Sequence, residues 1–358
     1  MTQPDFPPAD AIEAAARRLL DGGLAAFPTE TVYGLGADAE NAAAVASIYA
    51  TKGRPSNHPV IVHLAPEGDV AYWAADVPPE ARQLMQAFWP GPLTLILKRA
   101  PHVGTWVTGG QDSVGLRCPS HPVAQALLSA FARGKPGGQG GLAGPSANKF
   151  GQVSPTRAEH VRAEFPDEVA QGMPVLDGGA AEVGIESTIV DLSRLDQGVG
   201  PVLLRPGHVS AAQIAAVLGR PVSRPDAAAP RASGTLKAHY APHTPLELVD
   251  DARLARALAG EGLPAGRVAL VAYAAPRASA GNIEWHAVPG DPARYAQALY
   301  ARLRDLDGQG YARILLQAPP LSAEWDAVND RIGRAAAAFS LETTGLQDNT
   351  VAGGPRDH

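Results

Sequence analysis

The chain has 358 residues, 45% of them apolar, with 38 glycines and 33 prolines, so it reads as a globular, loop-rich protein with room for two cores. Its formal net charge of −6 gives no whole-protein field that favours nucleic acid and leaves only a local basic groove open. A single cysteine, Cys118, excludes an intramolecular disulfide and a cysteine-rich zinc site, suits a reducing cytosol, and is expected to serve packing.

The first ten residues, MTQPDFPPAD, hold no basic segment followed by an apolar run, and no apolar stretch reaches the roughly 18 residues of a membrane span. A soluble, cytoplasmic protein with no membrane partner is expected. In chain order, Asp10 and Glu13 have the spacing of a capping box for a helix over AIEAAARRLL, which Gly22-Gly23 closes before a short buried strand, LAAF (24–27). The loop PTETVYGLG follows, with Gly34 and Gly36 permitting close backbone approach. A helix over 41–50 must end before Pro55, and VIVHL (60–64) resumes a strand. Pro79 opens a helix over 79–89, Pro90-Gly91-Pro92 makes a turn, and LTLIL (93–97) is β-rich. Further strands are predicted at 114–117, 174–177, 187–192 and 201–205, with helices over 121–132 and 156–165 and a helix capped by Ser210. Some of these strands are joined by helices and others by short loops, which predicts an α/β domain with a mixed sheet over 1–219.

Residues 220–245 open with a Pro-, Ala- and Ser-rich stretch without periodicity and read as a linker. Beyond it, strands at 246–249, 267–273 and 312–317 alternate with helices at 251–259, from Asp291-Pro292 to about Leu306, and from Ser322. That alternation predicts a small, parallel, Rossmann-like α/β domain over 246–344, followed by a tail at 345–358. The glycine-rich 134–141 segment and the tail are expected to be mobile.

Four groups of residues could carry chemistry. Lys52 and Arg54 stand at a helix end beside a glycine loop, placed either to hold an anion or simply to complement the helix C-terminus. Ser146, Asn148 and Ser154 lie in a Gly/Pro-punctuated loop, where they could present donors to phosphate or serve as turn and cap residues. Arg117, Ser187, Thr188 and Arg205 sit at strand ends; Arg205, just before Pro-Gly, points either into a sheet-edge crevice or to the surface. His239, Tyr240 and His243 interrupt a linker otherwise devoid of aromatics. Pro242 forbids the regular helix that would make His239 and His243 a chelating pair, so a segment that folds over a ligand is the better reading. Gly34 to Ala39 match the GxGxxA dinucleotide spacing, but about 20 residues on stand Lys52, Arg54 and Asn57 instead of the acid that a ribose needs. No Walker A loop is present.

PTETVYGLG, KGRPSNHPVIVHL, PSANKFGQVSPT, DGGAAEVGIESTIVD, LLRPGHVS and HYAPHTP, in this order, resemble the YrdC-like threonylcarbamoyl-AMP synthases in their long form with an extra C-terminal domain. The resemblance is strong over about residues 10 to 245 and weaker beyond. It implies a twisted mixed sheet with a positively lined cavity, and synthesis of L-threonylcarbamoyladenylate from L-threonine, bicarbonate or CO2, and ATP, with release of pyrophosphate. Other proteins then transfer the product to adenosine 37 of tRNAs reading ANN codons. The implied catalytic residues are Lys52, Arg54, Ser146 and Asn148. Thr31, His63, Arg117, Gly144 and Ser187 are implied around threonine. Arg54, His58, Ser113, Ser146, Ser154, Arg205 and Tyr240 are implied around ATP, with Tyr240 as a lid. Mg²⁺ is expected to come with ATP, and no side chain is assigned as a metal ligand.

Two features depart from the family pattern: His58 stands where many relatives have Asn, and the 134–141 insertion is longer than usual. Two rival readings are a double-stranded RNA-binding maturation factor, for which a weak RNA contact is retained, and a carbamoyltransferase of the hydrogenase-maturation kind. The acidic charge weighs against the first, and the absence of cysteine-rich and acylphosphatase-like parts weighs against the second.

Overall fold

The computed structural model describes residues 6–274 and 281–343, with side chains through residue 340. Eight strands form the first sheet: β1 (Ala25–Phe27), β2 (Gly34–Asp38), β3 (Ile61–Leu64), β4 (Leu93–Lys98), β5 (Ser113–Arg117), β6 (Gly141–Ala143), β7 (Thr188–Asp191) and β8 (Val202–Arg205). Their order is β1-β2-β6-β3-β5-β4-β7-β8. The β3–β5 and β4–β7 pairs are parallel and the others antiparallel, so the sheet is mixed as expected. This order brings the carboxyl ends of β3 and β5 side by side, pairing His63 with Arg117 in register.

Helices α1 (Ala9–Leu20), α2 (Ala42–Lys52), α3 (Val70–Trp73), α4 (Pro79–Phe88), α5 (Thr105–Thr108), α6 (Pro122–Arg133), α7 (Ala158–Glu164), α8 (Pro166–Ala170) and α9 (Ala211–Leu218) surround this sheet. Asn41 caps α2 by accepting from the Ala43 and Ala44 amides, and Gly53 ends it in the left-handed region at φ 60°. Ser210 and Gln213 make the capping box of α9.

The second sheet contains β9 (Leu246–Val249), β10 (Val268–Ala272), β11 (Ile283–Ala287) and β12 (Arg313–Gln317), all parallel, in the order β11-β10-β12-β9. Helices α10 (Asp251–Leu258), α11 (Pro292–Asp307) and α12 (Asp326–Thr343) pack around it. One apolar cluster joins the two halves, uniting Val32, Val153, Ile185 and Tyr240 with Leu299, Tyr300, Leu303 and Ile332. Burying each such large side chain is worth about 1.5–3 kcal/mol, so the second domain is held to the first by real core.

Several expectations are corrected. Asp10 and Glu13 make no capping box, because the helix starts at Ala9 with Pro8 as its N-cap, and Glu13 pairs instead with Arg133 at 2.7 Å. Gly34 and Gly36 lie in strand β2 rather than in a loop. Residues 174–177 make only a single bridge, Val175 to Ala26. Strand β11 was not foreseen, since its IEWHA sequence is mostly exposed at the sheet edge and has no apolar run. The 134–141 segment holds one 3-10 turn, Pro136–Gly138, and Lys135 beside it pairs with Asp38 at 2.8 Å and Glu40 at 3.1 Å. The tail at 345–358 lies outside the described residues.

Candidate active site

A cleft opens over the carboxyl ends of β3 and β5. Its walls include Thr31, Arg54, His63, Arg117, Gly144, Ser146, Glu186, Ser187 and Arg205, and linker residues Ser233, Gly234, His239 and Tyr240 close it. Chain segments from 29 to 240 therefore converge on one place.

One end is built on a buried ion pair. Arg117 Nη2 lies 2.8 Å from Glu30 Oε1, and Arg117 Nη1 donates to Thr31 Oγ1 at 2.9 Å. Thr31 Oγ1 in turn shares a hydrogen bond with Thr29 Oγ1 at 2.8 Å. Arg117, implied around threonine, already has a carboxylate partner in Glu30, so any ligand here meets a neutralised pair with the Thr31 hydroxyl in front. His63, 3% exposed, has no hydrogen-bond partner for Nδ1 among the described residues. Burial, and then the Arg117 charge, push its pKa down to about 3, so it is a neutral imidazole at physiological pH. A Cβ at residue 144 would stand 2.8 Å from that Nδ1, which is why glycine is needed there.

The other end holds two buried arginines whose partners are carbonyls and hydroxyls. Arg54 Nη2 donates to Pro59 O at 2.8 Å and to Ser233 Oγ at 3.0 Å, while its Nε has no hydrogen-bond partner among the described residues. Arg205 donates from Nε and Nη2 to Ser187 O at 3.0 and 2.9 Å, and from Nη1 to Ser233 O at 2.8 Å. Among the described residues, neither contacts a carboxylate. Burial lowers both pKa values, that of Arg54 to about 10, yet both stay charged near neutrality. A buried, unpaired cation costs several kcal/mol, so the two together make a site that calls for an anion.

Ser146 faces the cleft, but Lys52 and Asn148 stand behind it. Lys52, 2% exposed, donates to Ser146 O at 2.6 Å and to Asn148 O. Asn148 Nδ2 donates to Lys149 O and Gln152 O at 2.7 and 2.9 Å. Lys52 is thus spent on fixing the loop that carries Ser146. Burial, and then the Arg54 charge, drive its pKa well below the usual lysine value. Ser154 is fully buried and donates to Glu186 Oε1 at 2.5 Å, so it neither caps the next helix nor lines the cleft. His58 packs edge-on against Phe150, and Ser113 sits at the amino end of β5; neither lines the cleft.

Sequence reasoning missed Glu30, Glu186 and Ser233. The two acids were visible as carboxylates beside Thr31 and Ser187, but nothing local reveals their arginine partners. Tyr240 is 1% exposed and holds φ at 62°, a left-handed conformation rare for a bulky residue. Its hydroxyl donates to Gly234 O at 3.3 Å. The linker therefore lies in the cleft as part of its wall.

The comparisons agree with this architecture. A family model for Sua5, YciO and YrdC proteins, described as "Telomere recombination", matches residues 17–207. A second, described as "Threonylcarbamoyl-AMP synthase, C-terminal domain", matches residues 209–337. The threonylcarbamoyl-AMP synthase of Pyrococcus abyssi is 39% identical over 249 residues, 68% of each chain. That of Schizosaccharomyces pombe is 32% identical over 386 aligned positions, covering 94% of this chain and 91% of that one. The crystal structure of P. abyssi Sua5 complexed with L-threonine superposes with a TM-score of 0.79 at 32% identity, covering 93% of this chain and 95% of that one. With both domains matched and a full-length relative aligned, the chain belongs to the threonylcarbamoyl-AMP synthase family of enzymes.

Proposed function

We propose that the chain makes L-threonylcarbamoyladenylate from L-threonine, bicarbonate or CO2, and ATP, releasing pyrophosphate. The product would serve downstream transfer proteins that form threonylcarbamoyladenosine at position 37 of tRNAs reading ANN codons. The observation that carries this reading is the pair Arg54 and Arg205, buried and without a carboxylate partner among the described residues, in a cleft whose other end offers Thr31 and neutral His63. A relative of the same fold was crystallised with L-threonine, which supports threonine as a ligand; we assign it to the side lined by Thr31, His63, Gly144 and Ser187.

The chemistry joins two anions, the threonine carbamate and the α-phosphate of ATP. Arg54 and Arg205 would offset their repulsion and hold the carbamate oxygen in line with the departing pyrophosphate. Catalysis is then positioning and electrostatics, with no covalent enzyme intermediate. Lys52 and Asn148 act in this account by fixing the Ser146 loop, and Ser146 would meet the nucleotide directly. Glu186, which lines the cleft, and Glu30 behind it are both committed to arginines, so Mg²⁺ would enter on the phosphates of ATP. It would supply further charge neutralisation there. A carbamate is labile in water, which gives the linker a reason to cover the cleft. We assign the activity to the cytoplasm, in keeping with the single buried Cys118. Mass spectrometry of a mixture with ATP, Mg²⁺, L-threonine and bicarbonate should show a threonine-dependent AMP adduct; AMP or ADP alone would sink the proposal.

A further inference from the structure

The second domain reaches the cleft through one carboxylate. Glu186 Oε2 accepts from Arg331 Nε of α12 at 2.8 Å and from the Tyr300 hydroxyl of α11 at 2.9 Å. Arg331 Nη2 also donates to Glu186 O at 3.3 Å, and Arg331 is 0% exposed. Gly184 allows this docking: at φ 78°, a Cβ there would lie 2.5 Å from Gln297 O of α11. The same two residues touch the linker, with Arg331 Cζ 5.4 Å from the Tyr240 ring centroid and the Tyr300 ring 5.6 Å from it. The left-handed Tyr240 backbone is strained and needs such surroundings to persist.

Glu186 and Arg205 line the same cleft, and Arg205 is hydrogen-bonded to the very next residue, Ser187. Glu186 has two further donors, the neutral hydroxyls of Ser154 at 2.5 Å and Tyr300, so without Arg331 its charge would turn to Arg205 for compensation and oppose an incoming anion. Burial works against the Glu186 charge, yet Arg331 and then Arg205 hold its carboxyl at about 2, so it is ionised near neutrality. We propose that Arg331, helped by Tyr300, is a positioning residue of the site: by holding Glu186 it leaves Arg205 free for the nucleotide and props Tyr240 in the cleft wall. The second domain is on this account a working part of the site. The inference rests on the nucleotide reading given above.

The test is ATP affinity by calorimetry on the full chain. Arg331→Met should weaken ATP binding at least 10-fold, and adding Glu186→Gln should restore it to within about 3-fold of wild type, because no free carboxylate then competes for Arg205. A purely structural role for Arg331 predicts no such rescue. Arg331→Met binding ATP as wild type does, or a double variant no better than the single one, overturns the inference. If Arg331→Met does not fold, Tyr300→Phe takes the smaller step: about 3-fold weaker binding erased by Glu186→Gln supports the inference, and no weakening overturns it. If the wild-type chain binds no ATP, the nucleotide reading itself falls and takes this inference with it. If wild type binds and the variants match it, the positioning role alone falls.

Discussion

At the residue scale, the cleft separates compensated from uncompensated charge. Arg117 has Glu30, whereas the hydrogen bonds of Arg54 and Arg205 among the described residues go to carbonyls and hydroxyls. The buried histidines have a consequence for pH. His63 and His239 both have pKa values lowered to about 3, chiefly by burial, against about 6.5 when unfolded. Between those values the unfolded chain binds protons that the folded chain does not. Stability is therefore fully present above pH 6.5 and lost as pH falls toward 3. From pH 7 to pH 5 each histidine should cost about 2 kcal/mol, and His239→Asn should reduce the fall in the urea unfolding free energy by that amount. An unchanged fall would show that His239 is already protonated in the fold. Arg205 was visible in the sequence as a strand-end arginine just before Pro-Gly, whereas His63 came only from the family resemblance. Glu30 and Glu186 were not legible as site residues, since their importance lies in partners 87 and 145 positions away.

At the element scale, the linker is packed, not draped. Ser233 accepts from both Arg54 and Arg205, and Gly234 sits at φ 72° against Arg205 and the Tyr240 hydroxyl. A Cβ at residue 234 would fall on that hydroxyl and lie 2.9 Å from Arg205 Nη1. Gly234→Ala should therefore lift the linker and speed ATP dissociation by about 10-fold, a loss near 1.4 kcal/mol. Stopped-flow displacement of a fluorescent ATP analogue would measure it, and an unchanged rate would mean that the linker does not touch the nucleotide. Most helices and strands could be read from apolar runs bounded by Gly and Pro. The α1 start and β11 could not: the first depends on where the chain leaves Pro8, the second on an edge position that needs no apolar pattern.

At the scale of the whole molecule, the apolar cluster that joins the halves predicts that they unfold as one cooperative body. Trp73 and Trp325 lie buried in the first and second halves, so urea unfolding followed by tryptophan fluorescence should coincide with that followed by far-UV circular dichroism. Two separated transitions would show that the interface is weaker than its buried residues imply. A domain pair was legible in the alternation of strands and helices, but the shared core was not, because side chains such as Val32 and Tyr300 carry no mark of what they meet. The central claim is that Arg54 and Arg205 hold the nucleotide while threonine occupies the other end. Its most direct measurement is pyrophosphate release from ATP with and without L-threonine and bicarbonate, in the wild type and in Arg205→Met. We predict release that needs both substrates and falls about 100-fold in the variant, the scale set by losing one charge-stabilising donor; release independent of threonine, or equal in the variant, would contradict the account.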